Sequence, residues 1–389
     1  MNMLNLLSTS RYSPIGLDIG AESVRMLQLD RSGKTLSVLA AAQWRFPPNA
    51  VAGESDPRER RRLAGRATRE MVKKGGFRGR NAISCIKTNE LVVKNIRLPH
   101  MPDHELASAV MWEGQERFGF QVAPDRMHYI KAGEVRQGSE SRDEIILMGV
   151  PEEAVQQHLE LLEEMRLKPV DIDAEPTALF RTFHRFLRRA EDESAVTVIV
   201  DVGLAATKVV VARGKTIILI KSIDIAGQAF NESVAKQLGL SYGEAQRLRR
   251  RGGEGESEGS SGSGPAVGEQ LRWSIFDAIR GQVEALAREI SLCLRYCLVT
   301  FRGLRPARIT LTGGEAYDPA LVKLLGECLD CECEVGQPLR GVDLGNADLG
   351  SDRRGALTEW SVALGLALRG AEAKRRLRKM DHEGSRVPA

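Results

Sequence analysis

An apolar strand that runs into Asp-x-Gly and turns back into a second strand occurs twice in the chain. Ile15 and Leu17 lead into Asp18-Ile19-Gly20, and Val24, Met26 and Leu27 resume. Val196 to Val202 leads into Asp201-Val202-Gly203, Lys208 to Ala212 returns, and Lys215 to Ser222 adds a third strand. Alternating apolar residues make the strands, and glycine with aspartate makes the bend. A repeat of this kind predicts two similar lobes. The length of 389 residues agrees, being too long for one small core.

Between and after the copies, helix and strand patterns alternate. Pro57 to Lys74 reads as a basic helix stopped by Gly75-Gly76. Ala82 to Ile86 and Leu91 to Leu98 read as strands, and Asp103 opens a helix in which Leu106, Val110 and Phe118 recur. Glu144 to Val150 is an apolar strand, Glu152 to Met165 an amphipathic helix, Val170 to Asp173 a short strand and Glu175 to Arg189 a helix. Arg249 to Gly268 interrupts the pattern. Gly252 to Pro265 has no apolar side chain to bury, so a disordered loop is expected over 252–266. The loop is not a phosphate loop, since no strand precedes it and no Gly-Lys-Ser/Thr closes it. Leu271 to Val299 follows as a long helix, Ile309 to Thr312 as a strand, Pro319 to Leu329 as a helix and Trp360 to Leu368 as a buried, small-residue helix.

Three glycine turns carry the candidate chemistry. Asp18-x-Gly20 and Asp201-x-Gly203 each offer backbone N–H groups and a carboxylate, a pairing that suits a phosphate and a magnesium ion held through water. Leu311-Thr312-Gly313-Gly314 offers bare backbone against which a flat base can lie. Other chemistries lack support. The net charge of +4 is too small to argue for a nucleic-acid partner. No run approaches the roughly 18 apolar residues of a membrane span, and the first residues lack the basic start of a signal peptide, so a cytoplasmic location is expected. No Ser-His-Asp, Cys-His or paired-carboxylate set is visible. Cys328, Cys331 and Cys333 form C-x-x-C-x-C with no fourth ligand near in sequence. They read as small apolar residues at a helix end and the next strand, and Cys293 and Cys297 share a helix face.

Ile15 to Arg25 resembles the first phosphate motif of actin-like ATPases in the form found in the PilM family. Val198 to Val211 is similar to the second phosphate motif, and Ile309 to Ala320 to the adenosine motif. Asp173-Ala174-Glu175-Pro176-Thr177-Ala178-Leu179 resembles the segment that joins the lobes, and Ala363 to Arg369 the closing helix. Val93 to Phe120 and Leu161 to Asp173 resemble stretches particular to PilM proteins. The resemblance implies an α/β, actin-like (ribonuclease-H-like) fold of two lobes. It would have duplicated five-stranded mixed sheets and a small inserted subdomain 1C. Residues 1–13 would form an arm, 14–90 with 169–193 subdomain 1A, and 91–168 subdomain 1C. Residues 194–225 with 300–370 would form 2A, 226–299 would form 2B, and 371–389 a basic tail.

The same resemblance implies ATP and magnesium between the lobes. Its nucleotide residues would be Asp18, Gly20, Ala21, Glu22, Ser23, Arg25, Asp201, Gly203, Thr207, Gly227, Gln246, Arg249, Gly313, Gly314 and Glu315, with Asp18 and Asp201 on the metal. Departures from the family pattern sit here: Ala21 for a hydroxyl, Glu315 for a third glycine, Ala320 for a glycine, and Gln246 and Arg249 for Glu and Lys. They argue for a scaffold with at most slow hydrolysis. The implied role is assembly of a type IV pilus, competence or related secretion machine at the inner membrane. The implied partner is the cytoplasmic tail of a PilN-like membrane protein, held at Val93, Ile96, Trp112, Phe118 and Phe120. Pilus motor ATPases and a second copy of the chain are further expected partners. Membrane contact is expected to be indirect or through Lys374 to Lys379. Asn5-Leu6-Leu7 resembles the tail peptide but reads more simply as an apolar arm. Two other functions are an FtsA-like membrane filament and a small-molecule kinase of the same superfold.

Overall fold

The computed structural model describes residues 11–33, 35–47, 50, 56–137, 140–253, 268–301, 306, 308–345, 347–349 and 355–369. The N-terminal Asn5-Leu6-Leu7, the basic tail and most of the 252–266 segment lie outside them. Contacts divide the chain into two units. Among the described residues, the first holds those up to Leu91, Pro151–Phe186 and those from Gln337 to Arg369; the second holds those of Val92–Val150 and Leu187–Gly336.

In the first unit, β1 (Ile15–Ile19), β2 (Ser23–Asp30) and β3 (Ser37–Arg45) form an antiparallel meander. The strands β4 (Asn81–Ile86) and β8 (Lys168–Ala174) extend it in parallel, giving the order β3-β2-β1-β4-β8. Strand alternation sends Ile15, Leu17, Val24 and Met26 to one face. There they pack on α1 (Pro57–Lys74) and on Leu162 of α3 (Glu152–Glu164). The other face meets α4 (Glu175–His184) and α9 (residues 361–369), through Leu27, Leu29, Ile83, Ala178, Ala363 and Leu366. Gly16 lies beneath α9, where an added Cβ would come 2.2 Å from Ala363 O.

The second unit repeats the plan. Its large sheet has the order β11-β10-β9-β12-β13, formed by β9 (Val196–Val202), β10 (Thr207–Arg213), β11 (Thr216–Ile223), β12 (Arg308–Thr312) and β13 (Glu332–Val335). Again a three-stranded meander is followed by two parallel strands. The unit's helices α5 (Gly227–Leu238), α6 (Tyr242–Gly253), α7 (Glu269–Thr300) and α8 (Pro319–Leu329) accompany it. A smaller antiparallel sheet, β5-β7-β6, comes from β5 (Val92–Pro99), β6 (Met127–Gln137) and β7 (Glu140–Gly149), with α2 (Asp103–Phe118) on one face.

Several sequence expectations need correction. The strands β3 and β6 were not expected from the sequence. The helix α6 runs to Gly253, two residues into the segment expected to lack order. The described parts of 337–369 group with the first unit rather than with the second lobe, because α9 packs on β1 and α4. Residues 151–168 also join the first unit rather than the inserted subdomain, since Leu162, Met165 and Leu167 pack on the first sheet. The C-x-x-C-x-C run does fall at the expected helix end and next strand, with Cys328 in the last turn of α8 and Cys333 in β13; Cys328 is exposed and Cys331 and Cys333 are half-buried.

A half-buried histidine ties α3 to the first sheet. His158 Nε2 lies 2.7 Å from Ser84 Oγ, and burial with the nearby Lys87 charge lowers its pKa from 6.5 to about 4. The unfolded chain therefore takes up a proton at this residue before the folded one does. This contribution to stability is complete above pH 6.5 and is lost as pH falls towards 4, by up to about 3 kcal/mol. Chemical denaturation of the parent and of His158→Gln across pH 4–7 checks this. The parent's stability should fall more steeply than the variant's, and parallel curves would contradict it.

Candidate functional site

The first turn lies in the first unit. Gly20 N–H donates to Ser23 O at 2.8 Å, which closes the hairpin and places Asp18 opposite Arg25. Arg60 Nη2 donates to Gly20 O at 2.7 Å, so both backbone groups of this glycine are engaged. Asp18 is buried, and its Oδ1 accepts from Lys87 Nζ at 2.5 Å. The same ammonium reaches Glu175 Oε1 at 3.0 Å, and Thr88 gives its N–H and its hydroxyl to Glu175 Oε2 at 3.0 and 2.8 Å. Arg25 Nη1 stands 3.7 Å from Asp18 Oδ2. Ser23 Oγ is buried without a hydrogen-bond partner, while Ala21 and Glu22 are half-buried on the turn. Burial pulls the Lys87 pKa down, but Asp18 and Glu175 outweigh it and hold the ammonium well above its ordinary value.

Lys87, Thr88 and Glu175 were not among the residues expected from the sequence. Lys87 is the first charged residue after the apolar strand β4, at the position where β1 ends beside it, and that was the available signal.

The second and third turns lie together in the second unit. Asp201 is buried at the end of β9, opposite Lys208, whose Nζ meets Oδ2 at 3.0 Å. Gly203 N–H donates to Ala206 O at 3.1 Å, and Gly203 O accepts from Gly227 N–H at 3.0 Å at the start of α5. Gly313 has φ +93, and a Cβ there would stand 2.4 Å from Asp201 Oδ1 and from Val202 O. Only glycine allows the third turn to lie this close upon the second. Glu315 N–H secures the approach by donating to Val202 O at 3.1 Å. Thr207, expected at a phosphate, is fully buried and gives its hydroxyl to Ile225 O at 2.6 Å.

The end of this group assigned to the base is occupied by side chains. Arg249 is buried on α6 and donates to Asn231 Oδ1 at 2.8 Å, Glu315 Oε2 at 2.8 Å and Asp318 Oδ2 at 2.9 Å. Burial opposes the Arg249 charge, and Glu315 and Asp318 outweigh it to raise the pKa. Gln246 is buried on the same helix, with Nε2 lacking a partner.

The expected cofactor can be weighed on these facts. The glycine turns at Gly203 and Gly313-Gly314 suit the close approach of a nucleotide, and the resemblance assigns phosphates and base to them. At the end that the resemblance assigns to the base, the Glu315 carboxylate lies against Gly227 and pairs with Arg249. Magnesium is a poorer match. Asp18 and Asp201 each hold a lysine ammonium, which a hydrated cation has to displace.

The expected partner residues do not form one surface. The small sheet's core takes Ile96 and Phe118 fully, at 4% and 7% exposure, together with Leu106, Val110, Ile145 and Leu147. Val93 is half-buried, and being three residues from Ile96 it points to the other sheet face. On that other face Arg97 pairs with Glu144 at 2.8 Å, and Tyr296 of α7 hydrogen-bonds Glu144. Phe120 stacks on Phe118 at 5.5 Å and is half-buried. Trp112 stands apart from these at 61% exposure, on the side of α2 away from the sheet.

A family model for the type IV pilus assembly protein PilM matches residues 16–261, more than half of the chain. The chain is similar to a solved PilM–PilN type IV pilus biogenesis complex at 24% identity, with a TM-score of 0.71 over 93% of this chain and 99% of that one. It is also similar to the ethanolamine utilization protein EutJ from Carboxydothermus hydrogenoformans. There the identity is 13% and the TM-score 0.52, over 94% of this chain and 96% of that one. The duplicated five-stranded sheets and these likenesses establish the actin-like fold.

Proposed function

Because the chain belongs to the family of the type IV pilus assembly protein PilM, we propose that it acts as a binding scaffold of such a machine, recruiting the short cytoplasmic tail of a PilN-like membrane protein. The observation that carries the proposal is Trp112. Its helix is fixed to the small sheet by Leu106, Val110 and Phe118, which leaves a large aromatic ring held outward on a rigid platform. A preorganised aromatic of this kind contributes strongly when a partner covers it. Recruitment of the tail accounts for work at a membrane, since no helix among the described residues is long and apolar enough to cross one. Ile96, Phe118 and Phe120 act by holding the platform, and Val93, on the other sheet face, takes no part in it.

The second part of the proposal concerns the second unit. Gly203 and Gly313-Gly314 hold a purine nucleotide there, Asp201 lies at its phosphate end and Gln246 and Arg249 at its base end. No step of tail recruitment is routed through it.

A fluorescence-anisotropy titration of a labelled tail peptide tests the first part. Trp112→Ala should weaken binding about fivefold or more, equivalent to about 1 kcal/mol. The melting temperature should stay within a few degrees, because an exposed side chain contributes little to folding. A folded Trp112→Ala protein that binds as tightly as the parent would remove the surface from consideration.

A further inference from the structure

We propose that Arg249, Glu315 and Asp318 form a latch over the base end of the second unit's glycine turns, with Glu315 as the member that opens. The inference rests on reading Gly313-Gly314 as the base-holding turn.

The Glu315 carboxylate lies directly on Gly227, where a Cβ would come within 2.3 Å of Oε1. Glycine at 227 is therefore what makes room for the carboxylate. Arg249 is 97% withdrawn from solvent at its side chain, with an exposure of 3%, and it has no open guanidinium face on which a base can stack. Glu315 and Asp318 are almost as enclosed, at 12% and 11%. A purine reaching Gly313-Gly314 from the α6 side meets a closed ion-pair cluster instead of bare backbone.

The three members are not equally fixed. Asp318 caps α8, with Oδ1 accepting from Ala320 N–H at 3.0 Å and Leu321 N–H at 3.4 Å. Arg249 is anchored by Asn231 and by Gly227 O at 3.4 Å as well as by Asp318. The Glu315 carboxylate has one hydrogen-bond partner among the described residues, Arg249 at 2.8 Å. Withdrawal of Glu315 leaves Arg249 paired with Asp318, so no buried charge is stranded. Opening is thus a rotation of one side chain rather than a rearrangement of the helix. A latch of this kind lowers apparent nucleotide affinity by the fraction of molecules in which it is open. It also couples occupancy to anything that draws Glu315 away.

The test is a titration of the full chain with a fluorescent ADP analogue in magnesium buffer, for the parent and for Glu315→Ala. The variant should bind at least tenfold more tightly. Inorganic tripolyphosphate, which lacks a base, should compete against either protein with the same affinity. Equal or weaker nucleotide binding by the variant overturns the latch while leaving the base-holding turn in place. A tenfold gain for tripolyphosphate as well overturns it too, since the effect is then one of charge alone. If neither folded protein binds nucleotide, both the latch and the base-holding reading fall, and tail recruitment by Trp112 is untouched. Should Glu315→Ala not fold, Glu315→Gln keeps the volume and removes the charge. It should bind at least threefold more tightly than the parent, and no gain overturns the latch.

Discussion

Gly365→Ala is expected to unfold the first unit, or to lower its melting temperature by about 8 °C or more. The helix α9 crosses α4 with backbone against backbone. A Cβ at Gly365 would come 1.8 Å from Ala178 O, 2.6 Å from Ala178 C and 2.9 Å from Thr182 Oγ1. No side-chain rotation relieves an overlap with a carbonyl, so the helices have to separate. Thr182 Oγ1 donates to Ser361 O at 2.6 Å and Arg181 Nη1 to Gly365 O at 3.0 Å, and both bonds stretch when they do. Overpacking of a core costs about 1–3 kcal/mol, and a backbone clash should exceed it, reaching about 4 kcal/mol or more. At roughly 2–4 °C per kcal/mol, that is the expected fall in melting temperature. Gly281→Ala provides the contrast. It changes an exposed position in the middle of α7 with nothing within 4 Å, and should stabilise by about 0.5–1 kcal/mol. Thermal melts of both variants check the pair. A Gly365→Ala protein that melts within a few degrees of the parent would contradict the packing of α9.

Lys87→Met should cost about 3–5 kcal/mol, because it strands Asp18 and Glu175 as buried carboxylates around one lost ammonium. Methionine is similar in length and apolar, so the loss reflects charge rather than a cavity. Adding Glu175→Gln should recover part of it, since one stranded charge then becomes a neutral amide near Thr88. Urea unfolding of the parent, the single and the double variant measures both steps. A single variant as stable as the parent, or no recovery in the double, would contradict the assignment of Lys87 as the shared counter-ion. The question bears on function, since this ammonium occupies the Asp18 oxygen that a magnesium ion would otherwise approach.

The duplicated hairpins were legible in the sequence because apolar strands ending in Asp-x-Gly are a local signal, and both sheets follow it in the same order. The strand β3 was not, since Ser-Val-Leu-Ala-Ala-Ala-Gln-Trp-Arg is rich in alanine and poor in β-branched residues. Small residues marked α9 as a buried helix, yet its partner is a carbonyl of α4 far back in the chain, which no local pattern encodes. Lys87 escaped notice for the same reason: its two carboxylates lie 69 and 88 residues away. Arg249 and Glu315 were each visible as departures from a family pattern. That the two compensate one another emerges only once residues 66 apart are brought to 2.8 Å. Val93 and Ile96 show the opposite failure, where strand periodicity already placed them on different faces of β5.

The central claim is that this chain recruits a membrane protein's cytoplasmic tail through the α2 surface. Its most direct measurement is a titration of the full chain against the labelled cytoplasmic tail of a PilN-like protein. The account expects saturable one-site binding that weakens about fivefold or more in Trp112→Ala while the fold is kept. The absence of saturable binding to the parent, or binding indifferent to Trp112, would contradict it.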